Sequence, residues 1–179
     1  MINPVTLQRW LYRLLFVAIC GAVIFGRLLP VHFTHRQIPG PDLVLLFTFA
    51  WVLRRPDYVP FPVVALVLIA TDILFSRAVG LGAGLGLVAV EFLRSRESLW
   101  RDLPVTAEFA MVALVLLMYT LGTAAIHGIF VVDQPPFGKR LLQLTITLIS
   151  YPLVVALSRY GLGVSKTAPG EVDALGHRL

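Results

Sequence analysis

Asp72 and Glu91 are carboxylates set inside apolar runs, and two carboxylates held close together are equipment for general acid–base chemistry. That chemistry needs both at one height. The runs that carry them, residues 62–75 and 79–93, are separated by little more than Ser76 and Arg77 and should form a tight helical hairpin. Reflection about the Arg77 turn places Asp72 level with Ala83 and leaves Glu91 near the other end. Glu91 is then expected to pair with Arg94 one turn on, or to face the Arg54-Arg55 loop, and no acid–base pair follows. Metal and nucleophile chemistry are no better provided. His32, His35, His127 and His177 share no helical face. His32 and His35 could hold a metal from one loop turn, but the reading of ordinary loop histidines is preferred. There is no His-Glu-x-x-His, Gly-x-Ser-x-Gly or Cys-x-x-Cys pattern. Gly80, Gly82, Gly84 and Gly86 lack both the Gly-x-Gly-x-x-Gly spacing and the Lys-Ser/Thr ending of a phosphate loop. The chain is therefore expected to be non-enzymatic, with no catalytic residues, no cofactor and no metal.

The elements that position these residues are membrane-grade. Of 179 residues, 58% are hydrophobic and 14% charged, with a mean hydropathy of +0.83, too apolar for the surface of a soluble domain of this size. The net charge of +5 does not point to nucleic acid, because the basic residues fall in ones, twos and threes between apolar runs. Lipid orientation explains them better. The lone Cys20 excludes an internal disulfide and is expected to be a small packing residue. Residues 17–20 lack the small residue that a lipoprotein signal needs before its cysteine, so the first run reads as a retained span.

Six apolar runs can be marked: residues 11–31, 43–53, 62–75, 79–93, 106–132 and 141–157, the last with Pro152 as an expected kink. They form a single all-α transmembrane bundle, residues 1–157, followed by a cytoplasmic tail, residues 158–179. The second run is short for a span, since crossing takes roughly 17 to 25 residues; Asp42 could cap it and Trp51 could anchor its interfacial end. With six spans and both termini inside, ten basic residues are cytoplasmic against five outside, as the positive-inside rule asks. A five-span arrangement in which the second run fails to cross scores the same. Both keep Arg54, Arg55 and Asp57 as a cytoplasmic basic turn.

Asp72 lies near mid-helix, where a carboxylate costs roughly 2.5 to 3.5 kcal/mol on insertion scales, so it needs a partner. Depth matching in the six-span arrangement selects Arg27, with His127 as a third member of a buried polar cluster. The reading of a structural ion pair or a snorkelling arginine is preferred, and a ligand or partner site is the sharper alternative. Ala18 with Ala22, Gly80 with Gly84 and Gly82 with Gly86 are small-xxx-small faces, suited to close helix packing inside the chain or, alternatively, to another subunit.

Taken together, the Trp51-x-x-Arg54-Arg55-Pro56 turn, the prolines after it, Asp72-Ile73-Leu74 and the glycine-rich helix from Gly80 resemble the MreD family of bacterial rod shape-determining proteins. The motif content covers residues 41–96; Ala78-Val79 stand where a proline and leucine are expected before the glycine. The resemblance implies a non-enzymatic scaffold of the bacterial inner membrane, part of the elongation (rod) complex that builds lateral peptidoglycan and sets cell shape. Its implied partners are MreC, MreB, RodA and the transpeptidase partner of RodA, besides the lipid bilayer. The family is similar in fold to the S subunits of energy-coupling-factor vitamin transporters. A small-molecule (vitamin) binding S subunit is accordingly the alternative, and the Ala18–Ala22 face resembles the surface by which such subunits meet their coupling partner. Reporter fusions separate the two topologies: six spans place the N-terminus inside and a fusion after Gly40 outside, and five spans reverse both.

Overall fold

The computed structural model describes residues 4–29, 39–75, 78–96, 104–130 and 136–164. Over these the chain is all-α, with six helices: α1 (Pro4–Leu28), α2 (Leu43–Arg54), α3 (Phe61–Leu74), α4 (Leu81–Ser95), α5 (Val105–Ile129) and α6 (Phe137–Ala156). A 3-10 turn, Pro56–Tyr58, joins α2 to α3, and a π-helical turn, Leu157–Gly161, continues α6. His32, His35, Arg36, Arg77, Arg101, His177 and the tail from residue 165 lie outside the described residues.

Local chemistry sets the helix starts. Pro60, Pro104 and Pro136 occupy the N-cap positions of α3, α5 and α6, where a fixed φ costs nothing and the first turn has no intrahelical use for its N–H groups. The Asp42 side chain accepts from the Leu45 N–H and caps α2. Gly80 enters α4 at φ +84°, a left-handed conformation that side chains resist.

Three helices are long and apolar enough to cross a membrane: Thr6–Leu28, Val105–Ile129 and Phe137–Gly161. They mark a multi-pass membrane protein. The other three are as short as their apolar runs in the sequence. At 12, 14 and 15 residues, α2, α3 and α4 extend only about 18, 21 and 22 Å at 1.5 Å per residue. Pro60, the Gly80 turn and the buried polar groups at the ends of α2 cut them short.

The innermost of them, α2, lies alongside two of the long helices. The Arg27 guanidinium donates to the Gly40 and Pro41 carbonyls at 2.9 Å each, and Arg13 donates to the Asp57 carbonyl at 3.3 Å, so α2 runs back along α1 from end to end. The Asp42 N–H donates to Thr147 Oγ1 at 3.1 Å and Trp51 Nε1 to Ser158 Oγ at 3.3 Å, so α2 and α6 run parallel. The amino end of α1 and the carboxyl end of α6 therefore lie at one end of the bundle.

The core is built around α2. Every residue of α2 after Leu43 is buried, as befits a helix that is apolar on all sides. It packs on α1, α4 and α6; α3 packs on α1 and α4, and α5 lies between α4 and α6. Trp51 is fully buried against Phe16 and Tyr12, with ring centroids 5.5 and 6.4 Å away. It is a core residue and not the interfacial anchor that its position in the sequence suggested, because α6 and its π turn cover it. Cys20 is buried with Phe16 and Ile24 on the inner face of α1. Residues 158–164, expected to begin the tail, belong to the packed unit: Ser158 and Val164 are fully buried.

The glycine faces divide. A Cβ on Gly82 would lie 2.6 Å from Asp72 Oδ1, and one on Gly86 2.9 Å from Leu68 Cδ1, whereas one on Gly84 meets nothing within 4 Å. Gly82 and Gly86 thus let α4 close on α3. Gly84 faces outward, and Gly80 serves the turn. Gly82→Ala should lower stability by about 1–3 kcal/mol through overpacking, while Gly84→Ala should raise it by about 0.5–1 kcal/mol through helix propensity; thermal unfolding in detergent reads both signs.

Candidate functional site

The buried polar groups fall at the two ends of α2. At its carboxyl end Arg54 is 5% exposed. Its guanidinium lies 2.9 Å from Glu108 Oε1 and also donates to the Ala50 carbonyl of its own last turn at 3.0 Å. Glu108, 1% exposed, stands in the first turn of α5 and accepts from the Tyr151 hydroxyl of α6 at 2.6 Å. Three helices meet in this triad. The placement suits the backbone as well as the side chains. A cation at the carboxyl end of α2 and an anion at the amino end of α5 each complement the local helix dipole.

The expected exposed basic turn is therefore corrected at Arg54, which points inward because Glu108 waits at the same depth. Its neighbours behave differently. Arg55 is half-buried, and Asp57 is exposed, with its carboxylate 3.5 Å from Arg9 and its carbonyl receiving Arg13. Tyr58 stacks on Tyr12 with centroids 4.4 Å apart and planes within 2°. Partial burial raises the Tyr58 phenol above its ordinary range, with Arg55 opposing, so this tyrosine stays neutral at physiological pH. Arg94 donates to the Val59 carbonyl at 2.6 Å and pairs with Glu91 at 3.4 Å, holding α4 against the same turn.

At the other end Asp72 is 2% exposed. Its Oδ2 accepts from the Ala83 N–H at 2.8 Å and the Gly80 N–H at 3.2 Å, so a carboxylate of α3 caps the amino end of α4. The expected level match between Asp72 and Ala83 is met to hydrogen-bond distance. The expected partner is not. No ion pair joins Arg27 to Asp72 among the described residues; Arg27 turns to the Gly40 and Pro41 carbonyls and sits 5.5 Å over the Phe75 ring. Arg27 and Asp72 share an end of the bundle, but each is hydrogen-bonded to backbone groups nearer to it. His127 Nδ1 lies 2.6 Å from the Thr123 carbonyl one turn back on α5 and joins neither. Ala18 and Ala22 are exposed on the outer face of α1.

Glu108 and Tyr151 escaped the sequence reading. The signal was present: Glu108 is the single acidic residue of α5, and a carboxylate one turn inside a span demands a partner as Asp72 does. Chemically, this set ties helices together. Each buried carboxylate receives fixed donors, Glu108 from Arg54 and Tyr151, Asp72 from two backbone N–H groups, and the two lie at opposite ends of the bundle. Among the described residues no group of three or more His, Cys, Asp or Glu is placed to hold a metal.

Comparison of the chain with protein-family profiles, curated proteins and solved structures gives no match.

Breaking a buried ion pair from one side costs about 3–5 kcal/mol because it strands a charge, whereas replacing both partners with apolar residues is often neutral or better. Glu108→Gln and Arg54→Met should each lower the unfolding midpoint strongly in detergent, and the double variant Arg54→Met/Glu108→Leu should recover most of the loss.

Proposed function

We propose that this chain is a non-enzymatic scaffold subunit of the bacterial rod (elongasome) complex, of the MreD kind. In this reading it resides in the inner membrane with both termini cytoplasmic and acts in cell shape and lateral peptidoglycan synthesis through association with MreC. MreB, RodA and the transpeptidase partner of RodA are its further neighbours. One observation carries the reading. The residues on which the family resemblance rests are joints between helices: Trp51 binds α6 through Ser158, Arg54 binds α5 through Glu108, and Asp72 caps α4 where Gly82 lets it approach. A motif used up in holding helices together suits a protein that works by presenting fixed outer faces. The course of α2, back along α1 and parallel to α6, supports the six-span arrangement in this reading; the fold similarity to energy-coupling-factor S subunits rests on the family resemblance.

The second reading, a vitamin-binding S subunit, draws on one feature: Ala18 and Ala22 are exposed together on α1, and a Cβ at the intervening Gly21 would meet nothing within 4 Å. Such a face admits close approach by another membrane helix. A vitamin panel that leaves the thermal midpoint unchanged counts against this reading.

Depletion of the protein should convert rods to rounded cells, and affinity-tagged protein should co-purify MreC. Arg54→Met/Glu108→Leu should keep MreC bound, since it preserves the frame. Cells that stay rod-shaped on depletion, together with failure of MreC to co-purify, would rule the scaffold role out.

A further inference from the structure

We propose that the end of the bundle carrying Arg54 and Asp57 is a binding surface for anionic phospholipid, with arginine–aromatic pairs as its headgroup clamps. Three such pairs stand on three separate elements. Arg13 lies 5.2 Å over the Trp10 ring on α1, Arg96 4.8 Å over Phe92 at the end of α4, and Arg159 5.5 Å over Tyr160 in the π turn after α6. All three rings are exposed, at 56%, 41% and 81%. They face outward and are not part of the packed interior.

The geometry suits a phosphate. A guanidinium over a ring face can present its in-plane N–H donors to two phosphate oxygens; Arg13 also donates from Nε and Nη2 to the Asp57 carbonyl, which leaves its Nη1 side for a headgroup. The surrounding charge suits it too. Seven described arginines lie at this end against Asp57, Glu91 and Glu108, whereas the opposite end has Arg27, Lys139 and Arg140 against Asp42 and Asp72.

What selects lipid over a soluble acidic partner is the surface next to each clamp. Leu14 is one turn along α1 from Trp10, Val88 one turn before Phe92, and Leu157 and Leu153 precede Tyr160; each is more than half exposed. Each clamp therefore stands at the head of an apolar strip running into the layer. At α4 the order inward is Arg96, Phe92, Val88, that of phosphate, glycerol and acyl chain in a lipid; at α1 and the π turn the ring is the outer member of the pair, with exposed leucine deeper. The inference requires a membrane-embedded chain and is independent of MreC.

The test is titration of the purified full chain, in neutral detergent at low salt, with phosphatidylglycerol and with phosphatidylcholine, following thermal midpoint and tryptophan fluorescence. Phosphatidylglycerol should bind about a hundredfold more tightly, a preference that fades with added salt. Arg13→Gln/Arg96→Gln/Arg159→Gln should erase it, at roughly fivefold per arginine, and Lys139→Gln/Arg140→Gln at the opposite end should leave it intact. Arg96→Gln and Arg159→Gln singly, at exposed positions, should each show a part of the loss if the triple variant fails to fold. Equal binding of the two lipids would overturn the proposal, as would a preference that survives in the arginine variants. So would equal stabilisation by polyglutamate in phosphatidylcholine, which would make this a protein-facing surface.

Discussion

A 12-residue helix cannot reach across a hydrocarbon layer of about 30 Å, and the rest of this structure accommodates that shortfall. Because α2 is apolar on every side it has to be wrapped, and α1, α4 and α6 do the wrapping. Because its ends are buried in the bundle, the polar groups there have to be satisfied by protein. Asp42 is buried at one end with its N–H on Thr147, and Arg54 is buried at the other with Glu108 and Tyr151. Each of these ties recruits a further helix, so the bundle closes around the needs of its innermost member.

The energetics follow from the setting. Within a bilayer, helices gain little from hiding leucine, since lipid tails are as apolar as the core. Close packing and satisfied polar groups therefore carry more of the specificity. Gly82 and Gly86 provide the first by bringing α4 onto α3, and Asp72 provides the second by capping α4 from its neighbour. The carboxylate and the glycine beside it form one device: the absent Cβ is what lets the carboxylate reach the backbone N–H.

Much of this was legible in the sequence, and the exceptions share a cause. The apolar runs located every helix, and reflection about the Arg77 turn placed Asp72 beside Ala83. Depth matching put Arg27 and Asp72 at one end, but depth is one coordinate of three and cannot say which way a side chain turns; each found backbone partners closer by. Arg54 belongs by sequence to a cytoplasmic basic turn, and its inward turn depends on Glu108, 54 residues further on in a helix whose lateral position no periodicity reveals. Trp51 looked like an interfacial anchor for the same reason: its cover, α6, arrives from 107 residues away. Local signals thus gave element and height, and the side-to-side arrangement came only from packing.

The unequal helix lengths have a consequence for the membrane itself. The flank formed by α3 and α4 presents exposed Leu66, Ile69, Ile73 and Val88 on helices only about 21–22 Å long, while α1 and α5, at 25 residues each, extend to about 38 Å. Lipid beside the α3–α4 flank meets an apolar wall shorter than the hydrocarbon layer, and lipid beside α1 and α5, which adjoin that flank on either side, meets one longer. Hydrophobic mismatch of this kind is relieved by thinning or tilting, so the bilayer should thin locally where it meets α3 and α4.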